Sequence, residues 1–505
     1  MQRRTEENHH RQTNTRPMKK NTSSSAGTIQ QIIPHQSRSI LSEVEQKAQR
    51  ILNHNLVLVK HHGKTYCRTV PSKQYYTHQW NWDSATVAMG LVHFHPQAAY
   101  DELRALISGQ WENGLIAHIT YNPDEELYYP QADKWRTQQF WQNGVPTSGI
   151  TQPPVFAIGV EYVYDHSPDK QAAEAFLEEM LPAIIRFHEH LKTYRDPEDK
   201  GLMTIIHSWE SGTDNSPRWD SVYAHVDLDK IPQSVKEDVN LHRVDDQIGE
   251  VSHRPTRENY YRFMGLIDMY AKWDWDYHKI VARSPFAVKD ILFSSIWARA
   301  NESLARLLKK VGRYEEAALY KEWAKQTKQA IAGTWDAEKK QYTDIDVSQG
   351  RKEKIAEPTI ATFVPLWAEA VTDTQLPKLI ENLTDPKTFW TPYPIPSTAI
   401  NSPKFEIARY WRGPTWPITN MFIIEGLLRY KDRHPKAEQL AEQLIDSTLE
   451  MMIQNDFYEY YDPTHGKGEK FNQKEIKEPT LHFGFADFSW SAAIFISLYE
   501  RYRKH

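Results

Sequence analysis

One cysteine, Cys67, stands among 505 residues, which excludes an intramolecular disulfide and any cysteine-built zinc knuckle and leaves the fold to rest on its core. Long apolar runs are missing too. A membrane-spanning helix needs about 20 consecutive apolar residues, and stretches such as 291–296 are soon broken by polar side chains. Neither sign of charge dominates: 61 Lys and Arg against 66 Asp and Glu give a net charge of -5, so composition implies no nucleic-acid partner and no anionic membrane. The 22 histidines include pairs such as His93-x-His95 and His188-x-His190, but none has the His-Glu-x-x-His spacing that sets two imidazoles on one helix face. Segment 336–346 lacks the glycine and terminal glutamate of a calcium loop, and no Walker or dinucleotide glycine pattern occurs. The expectation is a protein that needs neither metal nor cofactor.

What is abundant is flat rings. The chain carries 17 Trp, 26 Tyr and 18 Phe beside 25% charged residues, the balance of a globular chain. Residues 1–38 are polar and lack the apolar segment of a secretory signal, so they are expected to be a disordered tail. With the lone cysteine, that suggests a cytoplasmic setting. From 39 to 505 no shift in composition marks a second domain, and one catalytic domain is expected.

Apolar residues recur at i, i+3 and i+4 over 41–56, 84–94, 98–107, 155–164, 170–191, 260–275, 285–310, 314–333, 358–370, 376–383, 416–430, 437–452 and 488–502, which predicts about a dozen helices. Tight links at 311–313 and 432–434 predict antiparallel hairpins. Alternating strands are scarce. The other connections are long: 110–152, 193–259, 335–357, 384–412 and 455–487. Loops beyond about 15 residues in a compact domain are functional or disordered, and these concentrate Trp, Tyr, Asp, Glu and Arg. Short turns on one side and decorated loops on the other describe a ring of helical hairpins with one working face.

The densest cluster runs from His207 to Asp220 and holds Glu210, Asp214, Asp220, Trp209, Trp219 and Arg218 in a loop turned by Gly212 and Pro217. An Asx-turn with a salt bridge to Arg218 would explain a single aspartate there. A second cluster, Phe457 to Gly466, places Glu459 among aromatics, either tuned by burial or solvated on a surface strand. A third, Tyr410-Trp411-Arg412-Gly413-Pro414-Thr415-Trp416, sets two tryptophans around a Gly-Pro turn, as core or as the wall of a sugar pocket. Tyr76 to Asp83, Gly109 to Ile119 and Gly149 to Pro154 add hydrogen-bonding groups beside further rings.

These segments, in this order from about Tyr76 to the C-terminus, resemble the (α/α)6-barrel glycoside hydrolases of family 63, in particular the compact enzymes that hydrolyse glucosylglycerate and mannosylglycerate. The resemblance rests on Gln79-Trp80-x-Trp82-Asp83, Gly109-Gln110-Trp111-x-Asn113-Gly114, Thr151-Gln152-Pro153-Pro154, Trp209-Glu210-Ser211-Gly212-x-Asp214-Asn215-Ser216, Trp411-Arg412-Gly413-Pro414-x-Trp416 and Glu459-Tyr460-Tyr461-Asp462-Pro463. It implies an all-α (α/α)6 barrel and an inverting α-glycosidase, with Asp214 as general acid and Glu459 as general base. Such a pair stands roughly 6.5–9.5 Å apart, with a water between. It further implies that Tyr76, Trp80 and Asp83 hold the hexose, with Trp411 and Trp416 as walls and Gln152 as a polar contact, and that Arg254 and Tyr260 bind the glycerate carboxylate, with Arg257 the alternative to Arg254. Tyr410, next to Trp411, is a further substrate-binding candidate. The chain departs from the family in Ser208, where proline is common, and in its 38-residue head.

A small-molecule glycoside is the expected partner, and self-association is left open. The alternatives are an α-glucosidase or trehalase-type hydrolase of a neutral sugar, and a sugar-binding toroid whose carboxylates are tied up in salt bridges. Epimerase or lyase chemistry would call instead for His or Tyr bases.

Overall fold

The computed structural model describes residues 35–61, 63–245, 251–464 and 483–504. By packing, the chain divides into two units, Met1–Glu43 and Val44–His505. The second is mostly helical. The tail at 1–34 and the residues His465 and Gly466 of the aromatic cluster lie outside the described residues.

Six elements of the second unit touch in a closed cycle. Helix Asn81–Leu91 packs on Phe156–His166, which packs on Ile291–Lys310, then come the 3-10 segment Ile360–Leu366, Pro417–Arg429 and Ser489–Tyr502, and the last returns to the first. Outside the cycle, Pro96–Ile107, Lys170–Arg195, Tyr314–Ala332 and Ala437–Asn455 each pair with one of its members. The sequence explains the two roles. Every residue of Asn81–Leu91 is buried, as a helix enclosed on all sides requires, whereas Tyr314–Ala332 buries one stripe and exposes the rest. Close approach inside the cycle needs small residues: a Cβ on Gly90 would lie 2.5 Å from Ala493 Cα, and one on Gly159 would lie 3.0 Å from the Ala85 carbonyl.

The periodicity at 358–370 does not become an α-helix. Ile360–Leu366 winds as a 3-10 segment containing Pro365, and proline removes the amide that an α-helical turn would use there. The long connections also hold more regular structure than alternation suggested. A hairpin pairs Leu56–His61 with Lys64–Thr69. Short strands Glu353–Ile355, Asp344–Asp346, Val288–Lys289 and Thr204–Ile205 pair in that order, all antiparallel. Two helices, Gln233–His242 and Tyr277–Arg283, occupy the connection after the acidic cluster and the one that follows it. The histidine pairs serve the scaffold: His93 bonds the Tyr162 hydroxyl, His188 bonds Asn301, and His190 bonds the Asn113 carbonyl.

The cycle has two distinct ends. First turns of its helices, with Asp83 and Trp490, reach one cavity. Later turns, with Glu161, Glu425, Arg429 and Arg501, line another. At the second end arginines balance both the helix C-termini and the carboxylates, as in Arg306 with Glu161 and Arg501 with Glu425. Among the described residues no helix is long and apolar enough to cross a membrane.

Gly90→Ala forces a methyl onto backbone that cannot yield, and should destabilise the protein by about 1–3 kcal/mol, read as a lower urea midpoint. An unchanged midpoint would mean that the seam is looser than described.

Candidate active site

The cavity at the first-turn end spans about 590 Å³ of atom-free space, with the open solvent at its mouth included. Its wall includes Tyr76, Trp80, Asp83, Gln152, Asp214, Arg254, Tyr260, Tyr410, Trp411 and Glu459. Pro71, Trp82, His118, Tyr128, Trp209, Gly212, Phe488 and Trp490 complete it. Of the tryptophans expected around the hexose, Trp80, Trp411 and Trp416, only Trp416 does not line it. Trp416 is fully buried and stacks flat on the far face of Trp411, with ring centroids 3.7 Å apart. Arg254 lines the cavity, while Arg257 sits on the exposed first turn of helix Arg257–Lys272.

The acidic loop sorts its carboxylates by partner. Glu210 is buried against Arg195 at 2.5 Å and accepts the Ile206 amide at 2.8 Å. Asp220 is held by Arg412 through two bonds of 2.9 and 3.1 Å. Arg218 is spoken for as well, at 3.0 Å from both Asp290 and Asp344, with its guanidinium over Trp219. Asp214 alone of the loop's acids forms no ion pair among the described residues, and it faces the cavity. Gly212 makes that turn feasible: its φ is +68°, and a Cβ there would meet Trp82 at 2.4 Å. Burial pushes Asp214 up to about 7, against the pull of Arg254 and with the help of Glu459.

Glu459 lies on the strand Tyr458–Tyr460, paired with Phe483–Ala486, and is 1% exposed, so the solvated-strand alternative does not hold. Trp490 donates its indole N–H to the Glu459 carbonyl at 3.1 Å. Gly484 leaves room for the carboxylate, since a Cβ there would come within 2.5 Å of Oε2. Burial raises Glu459 to about 6, opposed first by Arg254 and then by the Tyr410 and Tyr76 hydroxyls. The third acid in the cavity, Asp83, is raised well above the usual carboxylate range by burial and by Glu459.

Arg254 is fixed from behind. Its Nε donates to Asp245 Oδ2 at 3.1 Å, and one Nη donates to the Tyr76 hydroxyl at 2.7 Å. Asp245 in turn accepts from Arg243 at 2.5 Å and from the Tyr260 hydroxyl at 3.1 Å. The remaining Nη1 has no hydrogen-bond partner and stands 3.7 Å from Glu459 Oε2, which has none either. Tyr410 lies under the guanidinium at 4.4 Å, its own backbone at a φ of +42°, a strained conformation of the kind found at working sites. Gln152 accepts the Trp82 amide at 3.2 Å, and Asn215 accepts the Trp411 amide at 2.9 Å, tying separate segments into one wall.

A family described as a mannosylglycerate hydrolase MGH1-like glycoside hydrolase domain matches residues 76–491. The chain belongs to this glycoside hydrolase family. It is 34% identical over 429 residues to mannosylglycerate hydrolase MGH1 of Selaginella moellendorffii, covering 84% of this chain and 81% of the relative. It is 32% identical over 406 residues to a glucosylglycerate hydrolase of Mycolicibacterium hassiacum, covering 78% and 88%. A crystal structure of the family 63 mannosylglycerate hydrolase of Thermus thermophilus, in complex with Tris and D-glycerate, superposes with a TM-score of 0.76 at 32% identity, over 91% of this chain and all of that one. The same enzyme in complex with glucose gives 0.74. As a family member the chain is a glycoside hydrolase, which excludes the sugar-binding and lyase alternatives.

Glu210→Gln leaves Arg195 buried without its counter-charge and should cost about 3–5 kcal/mol of stability, whereas Asp214→Asn removes a half-buried carboxyl that has no ion pair among the described residues and should leave stability equal or higher. Chemical denaturation of both variants checks this. Equal losses would place Asp214 in the structural network.

Proposed function

We propose that the protein hydrolyses an α-mannoside or α-glucoside of glycerate with inversion, Asp214 acting as general acid and Glu459 as general base. The observation that carries this reading is the pair of carboxyls in one aromatic cavity, Asp214 half-buried and near 7, Glu459 buried and near 6. Between those values the first keeps its proton while the second is ionised, as glycoside cleavage requires. Protonated Asp214 gives its proton to the glycosidic oxygen as the bond to the anomeric carbon breaks. Glu459 takes a proton from the water that attacks that carbon from the opposite face. The products are the free hexose, first as the β-anomer, and glycerate. The two carboxyls are expected roughly 6.5–9.5 Å apart.

Trp80, Trp411 and Tyr410 would face the C–H surfaces of the hexose, and Asp83, Tyr76 and Gln152 would bond its hydroxyls. Arg254, its Nη1 unused, would take the glycerate carboxylate with Tyr260 beside it. That donor favours an acidic leaving group over the neutral sugar of a trehalase-type substrate, and the glycerate-specific names of the relatives agree. The six-membered cycle supports an (α/α)6 barrel, and we take residues 39–505 as one catalytic domain.

Asp214→Asn and Glu459→Gln should each lower kcat by at least about 100-fold in folded protein. Proton NMR of α-glucosylglycerate and α-mannosylglycerate hydrolysis should show the β-anomer first. An α-anomer would sink the mechanism, and near-normal activity in either variant would sink the assignment. The free-enzyme profile, kcat/KM, should be a narrow bell, falling below about 6 as Glu459 protonates and above about 7 as Asp214 loses its proton.

A further inference from the structure

We propose that the carboxylate of the leaving group activates the catalytic pair: seated on Arg254, it cancels the guanidinium charge facing Asp214 and Glu459, so an acidic aglycone is selected by turnover as well as by binding. The inference rests on the assignment of the acidic leaving group to Arg254.

The geometry leaves Arg254 one free edge. With Nε on Asp245 and Nη2 on Tyr76, only Nη1 remains, and in the unliganded site its nearest anion is Glu459 Oε2 at 3.7 Å. That separation is too long for a hydrogen bond but well within reach of a charge interaction. The base therefore spends its charge on the arginine until something else satisfies that edge. Arg254 also leads the forces that oppose burial at both Asp214 and Glu459. An anion bound at Nη1 offsets that pull, so both carboxyls hold protons to higher pH.

The other charged and titratable neighbours stay constant. Asp245 remains on Nε and between Arg243 and Tyr260. Asp83 is raised by burial, and Tyr76, Tyr260, Tyr410 and Tyr460 are all raised, hence neutral near pH 7. The ligand's carboxylate is thus the change that matters. Asp214 stays a proton donor further into the alkaline range, and Glu459 becomes the stronger base. A neutral aglycone of the same shape, such as glycerol, leaves the arginine uncompensated.

The test compares kcat profiles for glucosylglycerate and glucosylglycerol. Both limbs of the kcat bell should lie about one pH unit higher for the acidic substrate, while the kcat/KM limbs, which report the free enzyme, coincide. Arg254→Gln should erase the difference. Coincident kcat limbs in the unsubstituted enzyme would overturn the coupling. Calorimetry of D-glycerate binding in buffers of different ionisation enthalpy gives a check without turnover: binding should take up protons between about pH 6 and 8. Glycerate that binds without uptake, or fails to bind, overturns the coupling. Uptake without any hydrolysis of glycerate glycosides would overturn only the functional assignment on which it rests.

Discussion

A carboxylate taken out of water must find a cation or give up its charge, since burying an isolated ion costs more than a domain can spare. Inside this helical ring most acids find a cation. Glu210 has Arg195, Asp290 and Asp344 share Arg218, Asp245 lies between Arg243 and Arg254, and Glu161 meets Arg306. Asp214, half-buried at the cavity wall, has no such partner among the described residues, and loss of hydration appears as a proton held to about 7. Glu459 has a partial partner in Arg254 and sits about one unit lower. Arg254 pulls against burial at both carboxyls, and Glu459 is lowered further by the Tyr410 and Tyr76 hydroxyls.

The ring supplies the burial on which that depends. Helices that touch through Gly90 and Gly159 close the cycle with little space between them, and the first turns deliver Asp83 and Trp490 to the cavity. The loops then bring Asp214, Arg254, Tyr410 and Glu459 from distant parts of the chain. Their fit is enforced by small residues at contact points, Gly212 beneath Trp82 and Gly484 beneath the Glu459 carboxylate, and by side chain to backbone bonds such as Asn215 to Trp411. At the opposite end, arginines and glutamates pair with each other.

The helices were legible because burial on one side leaves a 3.6-residue period. The segment at 358–370 kept the period but not the helix, since Pro365 withholds an amide. The short sheet strands gave no signal: two or three residues are too few to alternate. Asp214 and Glu459 stood out because rings, turns and acids cluster around them, and both reach the cavity. Trp416 carries the same sequence signal as Trp411, yet one ring must back the other, and only the packed structure decides which faces out. Asp245 was invisible, an acid two residues from Arg243 in a polar stretch whose partners Arg254 and Tyr260 come from further along the chain. Pairing across space, not composition, separates Glu210 and Asp220 from Asp214.

The most direct measurement is the protonation of the two carboxyls in the unliganded enzyme. Difference infrared spectra between the unsubstituted protein and Asp214→Asn, and between it and Glu459→Gln, isolate each carbonyl stretch as pH is varied. The account predicts that near pH 6.5 Asp214 contributes the band of a protonated acid while Glu459 contributes that of a carboxylate. The reverse order, or two carboxylates already at pH 6, would contradict it.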